Sequence, residues 1–242
     1  MYFKTLLKNN LRVVSVPMES VKSATALIMV EAGSRYETPE INGISHFLEH
    51  MIFKGTKNRP TAHAISSIID GIGGAFNAFT SKEYTGFYVK AESSRLELIL
   101  DVLSDMLQNS LFDPKELDKE RGVIIEEINM YEDLPQVRVE ELFEELLYGT
   151  QPLAKRISGT KEIIKDITQK QMLNYVNRMY HASSIVAGLA GNVGAIHESP
   201  VQKYFSNVPA GKENSFAPID DSQNGAKSLV YNKATYQAHL LR

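Results

Sequence analysis

The apolar positions of this chain change period several times, and each change marks an element. Residues 11–18 (LRVVSVPM) and 24–30 (ATALIMV) are short runs rich in apolar and β-branched residues, which predicts strands. Pro17 places the end of the first near a sheet edge. From Gly43 the spacing turns helical, with Gly55 as the stop, and residues 61–72 predict a second helix closed by Gly71, Gly73 and Gly74. Two short strands follow at 75–81 and 84–91, and Ser81, Lys82 and Glu83 between them suit a hairpin. Over 95–110, Leu96, Ile99, Leu100, Leu103 and Leu107 recur at helical spacing. Asp113 as N-cap with Pro114 at the first helical position opens a helix to about residue 132, Pro135 opens another through 147, and Thr168 caps one to Tyr180. An apolar strand at 184–191 and a short helix at 200–205 come next.

Residues 209–227 cluster Pro, Gly, Asn, Ser and Asp and read as a linker, followed by strand-like pieces at 228–232 and 237–241 that are too small to fold alone. The expected layout is a main domain over 1–212, a linker over 213–227 and the beginning of a second unit over 228–242. Strands mixed with helix pairs and a hairpin predict an α+β domain around a mainly antiparallel sheet.

Composition narrows the function classes. The chain is 43% hydrophobic and 23% charged, the balance of an ordinary globular protein. A net charge of -3 without a Lys/Arg run argues against nucleic acid as a partner. With no Cys, disulfides and thiolate catalysis are excluded, and a metal would have to be held by His, Asp or Glu. Residues 1–7 are too short and polar for a signal peptide, and no apolar stretch approaches the ~20 residues of a membrane span. The expectation is a soluble cytoplasmic protein.

The chemistry-bearing motif is HFLEH at 46–50. On a helix His46 and His50 emerge on one face about 5–6 Å apart at Cβ, close enough for both imidazoles to reach one ion. Glu49 falls roughly 60° from His46 around the axis, beside such an ion without having to bind it. Catalytic zinc usually takes three protein ligands and leaves a fourth position for water, whose proton a neighbouring carboxylate can accept. HFLEH fits the H-x-x-E-H pattern of inverzincins. A third ligand should come from a separate acidic helix. The segment 120–127 (ERGVIIEE) is the best candidate, because Val123, Ile124 and Ile125 give it a side to bury and Glu120 and Glu127 share a face. Periodicity alone does not choose it over the acidic residues at 140–145.

With these residues in view, the chain resembles the M16 family of zinc peptidases, the group of pitrilysin, insulysin and mitochondrial processing peptidase, and most closely its smaller bacterial processing-protease branch. The resemblance rests on LKNNLRVV (7–14), AGSR (32–35), GISHFLEHM (43–51), FKGT (53–56), NAFT (77–80) and ERGVI (120–124), in order along residues 6–210. The family places a ligating Glu about 76 residues after its motif, and 76 residues lie between His50 and Glu127, so the resemblance implies Glu127 rather than Glu126 as third ligand. It also implies Zn2+ as cofactor, Glu49 as general base, and Glu120 as the carboxylate that orients a His ligand. Asn77, Ala78 and Phe79 match the sheet edge on which family members bind substrate as an added strand. A peptide or unfolded polypeptide is the implied substrate.

Two departures stand beside the resemblance. Family members carry a second, similar half that closes a chamber over the zinc; here residues 236–240 match only its start, so a second half or a homo- or hetero-dimer partner is expected. HASS at 181–184 replaces a Pro-containing entry to the next strand. His63, His181, His197 and His239 read as surface or structural histidines. The first functional reading is a zinc-dependent endopeptidase, and the competing one is a non-catalytic binding or scaffold subunit.

Overall fold

The computed structural model describes residues 1–194, 199–222, 225–233 and 238–241. Six strands form one sheet: β1 (Phe3–Leu6), β2 (Arg12–Pro17), β3 (Ser23–Val30), β4 (Ala75–Thr80), β5 (Thr85–Glu92) and β6 (Ile185–Gly191), in the order β1-β2-β6-β3-β5-β4. Every neighbouring pair is antiparallel except β2 with β6. The expected α+β fold with a mainly antiparallel sheet is therefore present, with β4 as one edge.

One face of the sheet is buried and the other half-open, as the period-2 alternation requires. In β3, Ala24, Ala26, Ile28 and Val30 are buried; they pair in register with Ala91, Val89, Phe87 and Thr85 of β5 and with Gly191, Leu189, Ala187 and Ile185 of β6. Helices α1 (Ile44–Ile52), α2 (Ala62–Gly71) and α3 (Leu96–Asn109) pack on the sheet; α4 (Pro114–Asp133), α7 (Gln169–Met179) and α8 (Ser199–Phe205) pack on α1 or α3, and α5 (Pro135–Tyr148) and α6 (Lys161–Asp166) pack on α4. Phe47, Leu48, Met51, Ile99, Leu103, Ile124 and Ile128 join the sheet residues in one core. Among the described residues no helix is long and apolar enough to cross a membrane.

From β2 to α8 the predicted elements appear within a residue or two, with caps where the sequence places them. Asp113 accepts from Lys115 N, and Thr168 forms a capping box with Gln171. Pro17 lies past the end of β1, whose pairing stops at Ser15, so the outer flank of β2 is uncovered there. Strand β1 and helix α6 carried no readable pattern: β1 is short and largely exposed, and α6 has six residues.

The C-terminal stretch departs from expectation. Residues 228–232 and 238–241 take no strand: an apolar run becomes one only when its backbone finds an edge to bond, which local pattern does not supply. Of the piece likened to the start of a second half, residues 236 and 237 lie outside the described residues, as does His197. The described residues of linker composition have no helix or strand, yet they are fastened to the domain. Asn214 donates to Glu31 O at 2.6 Å and Met179 O at 3.0 Å, and its side-chain oxygen lies 3.1 Å from His181 Nε2. Phe216 lies under the Arg35 guanidinium at 3.5 Å, and Gln151 and the Asp220 backbone exchange two bonds of 2.8 Å.

Candidate metal centre

Helix α1 is held at its first turn by a buried carboxylate. Glu37 accepts from Gly43 N at 2.7 Å, Ser45 N at 2.9 Å and Asn42 Nδ2 at 2.8 Å, which satisfies donors a helix start leaves open. Gly43 has φ 96°, and a Cβ there would stand 2.7 Å from Ser158 O, so only glycine fits. Ser45 Oγ lies 2.8 Å from Tyr175 OH and ties α1 to α7. Helix α4 is placed through Leu117, Ile124 and Ile128 in the core, while Arg121 donates to the last carbonyls of α6, including Ile167 O at 2.9 Å.

These two helices bring His46, His50 and Glu127 together. The two Nε2 atoms are 3.3 Å apart, and Glu127 Oε2 lies 3.5 Å from His46 Nε2 and 3.4 Å from His50 Nε2. Donors placed tetrahedrally about 2.0–2.1 Å from a zinc ion stand about 3.3–3.4 Å from one another. The triangle therefore has the size of a zinc site, and its two imidazoles and one carboxylate are a donor set that catalytic zinc accepts. Among the described residues this is the cluster of His, Asp and Glu spaced to hold a metal ion.

The remaining predicted residues surround the triangle. Glu120 Oε1 lies 3.0 Å from His50 Nδ1, and its other oxygen accepts from Lys54 Nζ at 2.6 Å. Glu49 accepts from Thr80 Oγ1 at 2.6 Å through Oε2. Asn77, Ala78 and Phe79 lie on edge strand β4. The Ala78 N–H donates to Asn77 Oδ1 at 2.9 Å, so a side chain occupies it rather than the β5 ladder. Phe79 covers Gly86 of β5, where an added Cβ would stand 2.3 Å from its ring.

Lys54, Thr80 and Tyr131 were not singled out as site residues by sequence reasoning. Lys54 follows His46 and His50 at the same four-residue step, and Tyr131 follows Glu127 at that step on α4, so helical spacing held a signal for both. Tyr131 hydrogen-bonds Glu127. Thr80 is reached only through strand parity.

Burial and neighbouring charge set the protonation of the cluster. Burial, then the charge of His50, pushes His46 down to about 4, and its Nδ1 is buried without a partner, so this ring stays neutral. Burial opposes the charged form of His50 as well, but hydrogen bonds to Glu120 and Glu127 outweigh it and raise the group to about 9. Burial raises Glu49 above the ordinary carboxylate range, partly offset by the Thr80 hydroxyl. The same pair of contacts, His50 and Lys54, holds Glu120 low against its burial.

Comparison with known proteins places the chain in a family. The model described as Insulinase (Peptidase family M16) matches residues 12–161, so the chain belongs to peptidase family M16. It is 40% identical over 234 residues to a Bacillus subtilis protein named as the zinc protease YmxG, covering 96% of this chain and 56% of that one. It is 38% identical over 218 residues to the mitochondrial-processing peptidase subunit beta of Neurospora crassa, covering 89% and 45%. A protease from Helicobacter pylori superposes with TM-score 0.84 at 25% identity, covering 91% of this chain and 54% of that one. At 18% identity, a Pseudomonas fluorescens structure described as a peptidase M16 inactive domain shares the fold, with TM-score 0.83 over 91% of this chain and 53% of that one. The chain thus spans about half the length of the relatives it matches, several of them named zinc proteases.

Proposed function

We propose that the chain carries the catalytic half of a zinc-dependent endopeptidase, with the ion held by His46, His50 and Glu127 and the proton moved by Glu49. The observation that carries this reading is the triangle of donor atoms 3.3–3.5 Å apart with a separate carboxylate one helical position from His50. Zinc held there would supply Lewis acidity, lowering the pKa of a water to about 7 and polarising the scissile carbonyl.

The chain's own groups supply the rest. Glu49 accepts the proton of the attacking water and delivers it to the leaving amine. Its burial, which raises its proton affinity, suits a group that must take a proton and give it back. Glu120 fixes the ring of His50 through Nδ1, leaving Nε2 toward the triangle, and Lys54 balances the Glu120 charge. An extended peptide pairs with the open edge of β4 at Asn77, Ala78 and Phe79, through main-chain bonds that tolerate varied sequences. The Asn77 side chain then gives up the Ala78 N–H to the incoming strand. A second M16 half, in a longer chain or a partner subunit, closes the site over the substrate.

The competing reading is a subunit that binds peptide without cutting it. The fold does not separate the two, since an inactive domain shares it. The complete set of His46, Glu49, His50 and Glu127 favours the active reading. Zinc content and cleavage of a fluorogenic peptide, measured for the native chain and Glu49→Gln with and without a second half, test it. We expect one zinc per chain in both proteins and cleavage only in the native one. A Glu49→Gln protein that still cleaves would refute the base, and a native chain that takes up no zinc would refute the site.

A further inference from the structure

Helix α1 fixes where Glu49 starts, but three side-chain torsions separate its Cα from the carboxylate. Something must hold the far end if the group is to work on a water at one place. Thr80 offers a stiff donor. In β4, Phe76, Ala78 and Thr80 pair with Val89, Phe87 and Thr85 of β5, whose side chains lie on the buried, helix-covered face of the sheet. Alternation therefore turns Thr80 toward the helices, while Asn77 and Phe79 turn away. Its hydroxyl reaches Glu49 Oε2 at 2.6 Å, the short length of a bond to an ionised acceptor.

The platform beneath that hydroxyl is rigid. Thr80 is β-branched, which restricts its χ1. Its partner Thr85 is fully buried and donates to Ala32 O at 2.8 Å. The turn between them is tied from three sides. Lys82 O accepts from Arg35 N at 2.9 Å, Lys82 Nζ donates to Glu144 at 2.6 Å and Leu153 O at 2.7 Å, and Glu83 pairs with Arg35. A fixed donor thus meets a flexible acceptor, and the acceptor takes its position from the donor.

We propose that Thr80 is a positioning residue for Glu49: its hydroxyl holds Oε2 at the end of β4 and leaves Oε1 for the transferred proton. The inference rests on the reading of Glu49 as general base. It also puts the donor that positions the base on the same strand as the proposed peptide-binding edge, so pairing of substrate along β4 and placement of the base depend on one backbone.

The test uses Thr80→Val, which keeps the shape and removes the hydroxyl, and Thr80→Ser, which keeps the hydroxyl and removes the methyl. Crystal structures of the zinc-loaded native and variant proteins read the Glu49 carboxylate directly. A fluorogenic peptide assay with the second half present reads kcat and KM. In Thr80→Val we expect full zinc content, a displaced or multiply placed Glu49 carboxylate, and kcat down roughly 10- to 100-fold with KM within twofold, the scale of a small misplacement of a reacting group. Thr80→Ser should restore both carboxylate position and kcat to near native. A Glu49 carboxylate that stays in place in Thr80→Val overturns the inference, as does a Thr80→Ser protein no better than Thr80→Val. Glu49→Gln, run beside them, separates the two levels. If it still cleaves, the base assignment fails whatever Thr80 does; if it is inactive while Thr80→Val is unimpaired, only the role of Thr80 fails.

Discussion

Helices α1 and α4 and the hairpin β4–β5 meet at one place but hold their groups by different means. The helices present side chains whose spacing is set by 3.6-residue turns and whose backbones are closed on themselves. His50, Glu120 and Glu127 are correspondingly well partnered, and these three and His46 are half-buried or buried. Strand β4 presents backbone instead. Its inner side is spent on β5, its outer side is open, and the Asn77 side chain covers one donor of that open side. A metal centre needs fixed side chains at fixed distances, whereas a site for varied peptides needs a repeating main chain that ignores side-chain identity. The difference teaches that, if the proposed function holds, affinity for metal and affinity for substrate are separable by mutation here.

The sharpest test of that separation is Glu127→Gln, which should abolish both zinc retention and cleavage, read by metal analysis after dialysis and by peptide assay. Glu120→Gln removes the charge behind His50 and should weaken zinc about 10- to 100-fold in competition with a chelator, with the fold unchanged by circular dichroism. Ala78→Pro attacks the other region. Proline is tolerated on an edge where the N–H faces outward, so zinc content should not change while KM for peptides rises roughly tenfold, the loss of about one hydrogen bond. If Ala78→Pro instead strips the metal, the two regions are not independent and the comparison breaks. The smallest effect is expected from Phe216→Ala, which removes the ring under Arg35 and should cost about 1 kcal/mol in thermal or denaturant unfolding with zinc binding intact.

Much of the helical half was legible before any coordinates. HFLEH specifies a shared face by itself, and Asp113, Pro114 and Thr168 announce their helices because capping is local chemistry. The meeting of α1 with α4 was not legible from periodicity, since nothing local distinguishes 120–127 from 140–145. Family resemblance singled out Glu127, and the structure brings that residue to the two histidines. Thr80 escaped because its role depends on which face of β4 the helices cover, a tertiary fact. The linker reading captured the composition of residues 209–227 but not their attachment. Asn214 and Phe216 find partners in Met179, His181 and Arg35, far back in the chain, which composition cannot reveal.

On helix α4, Glu120, Ile124, Glu127 and Tyr131 follow one face, so a carboxylate, a core anchor, the proposed ligand and its tyrosine are threaded on a single rigid rod. Such a rod forgives exchanges of residues more readily than changes in their number. One residue inserted between Glu120 and Glu127 would swing everything beyond it by about 100° and carry Glu127 away from both histidines while the helix itself survived. Length variation among related sequences should accordingly collect in the loops around residues 56–60 and 149–160 and be absent from 120–127.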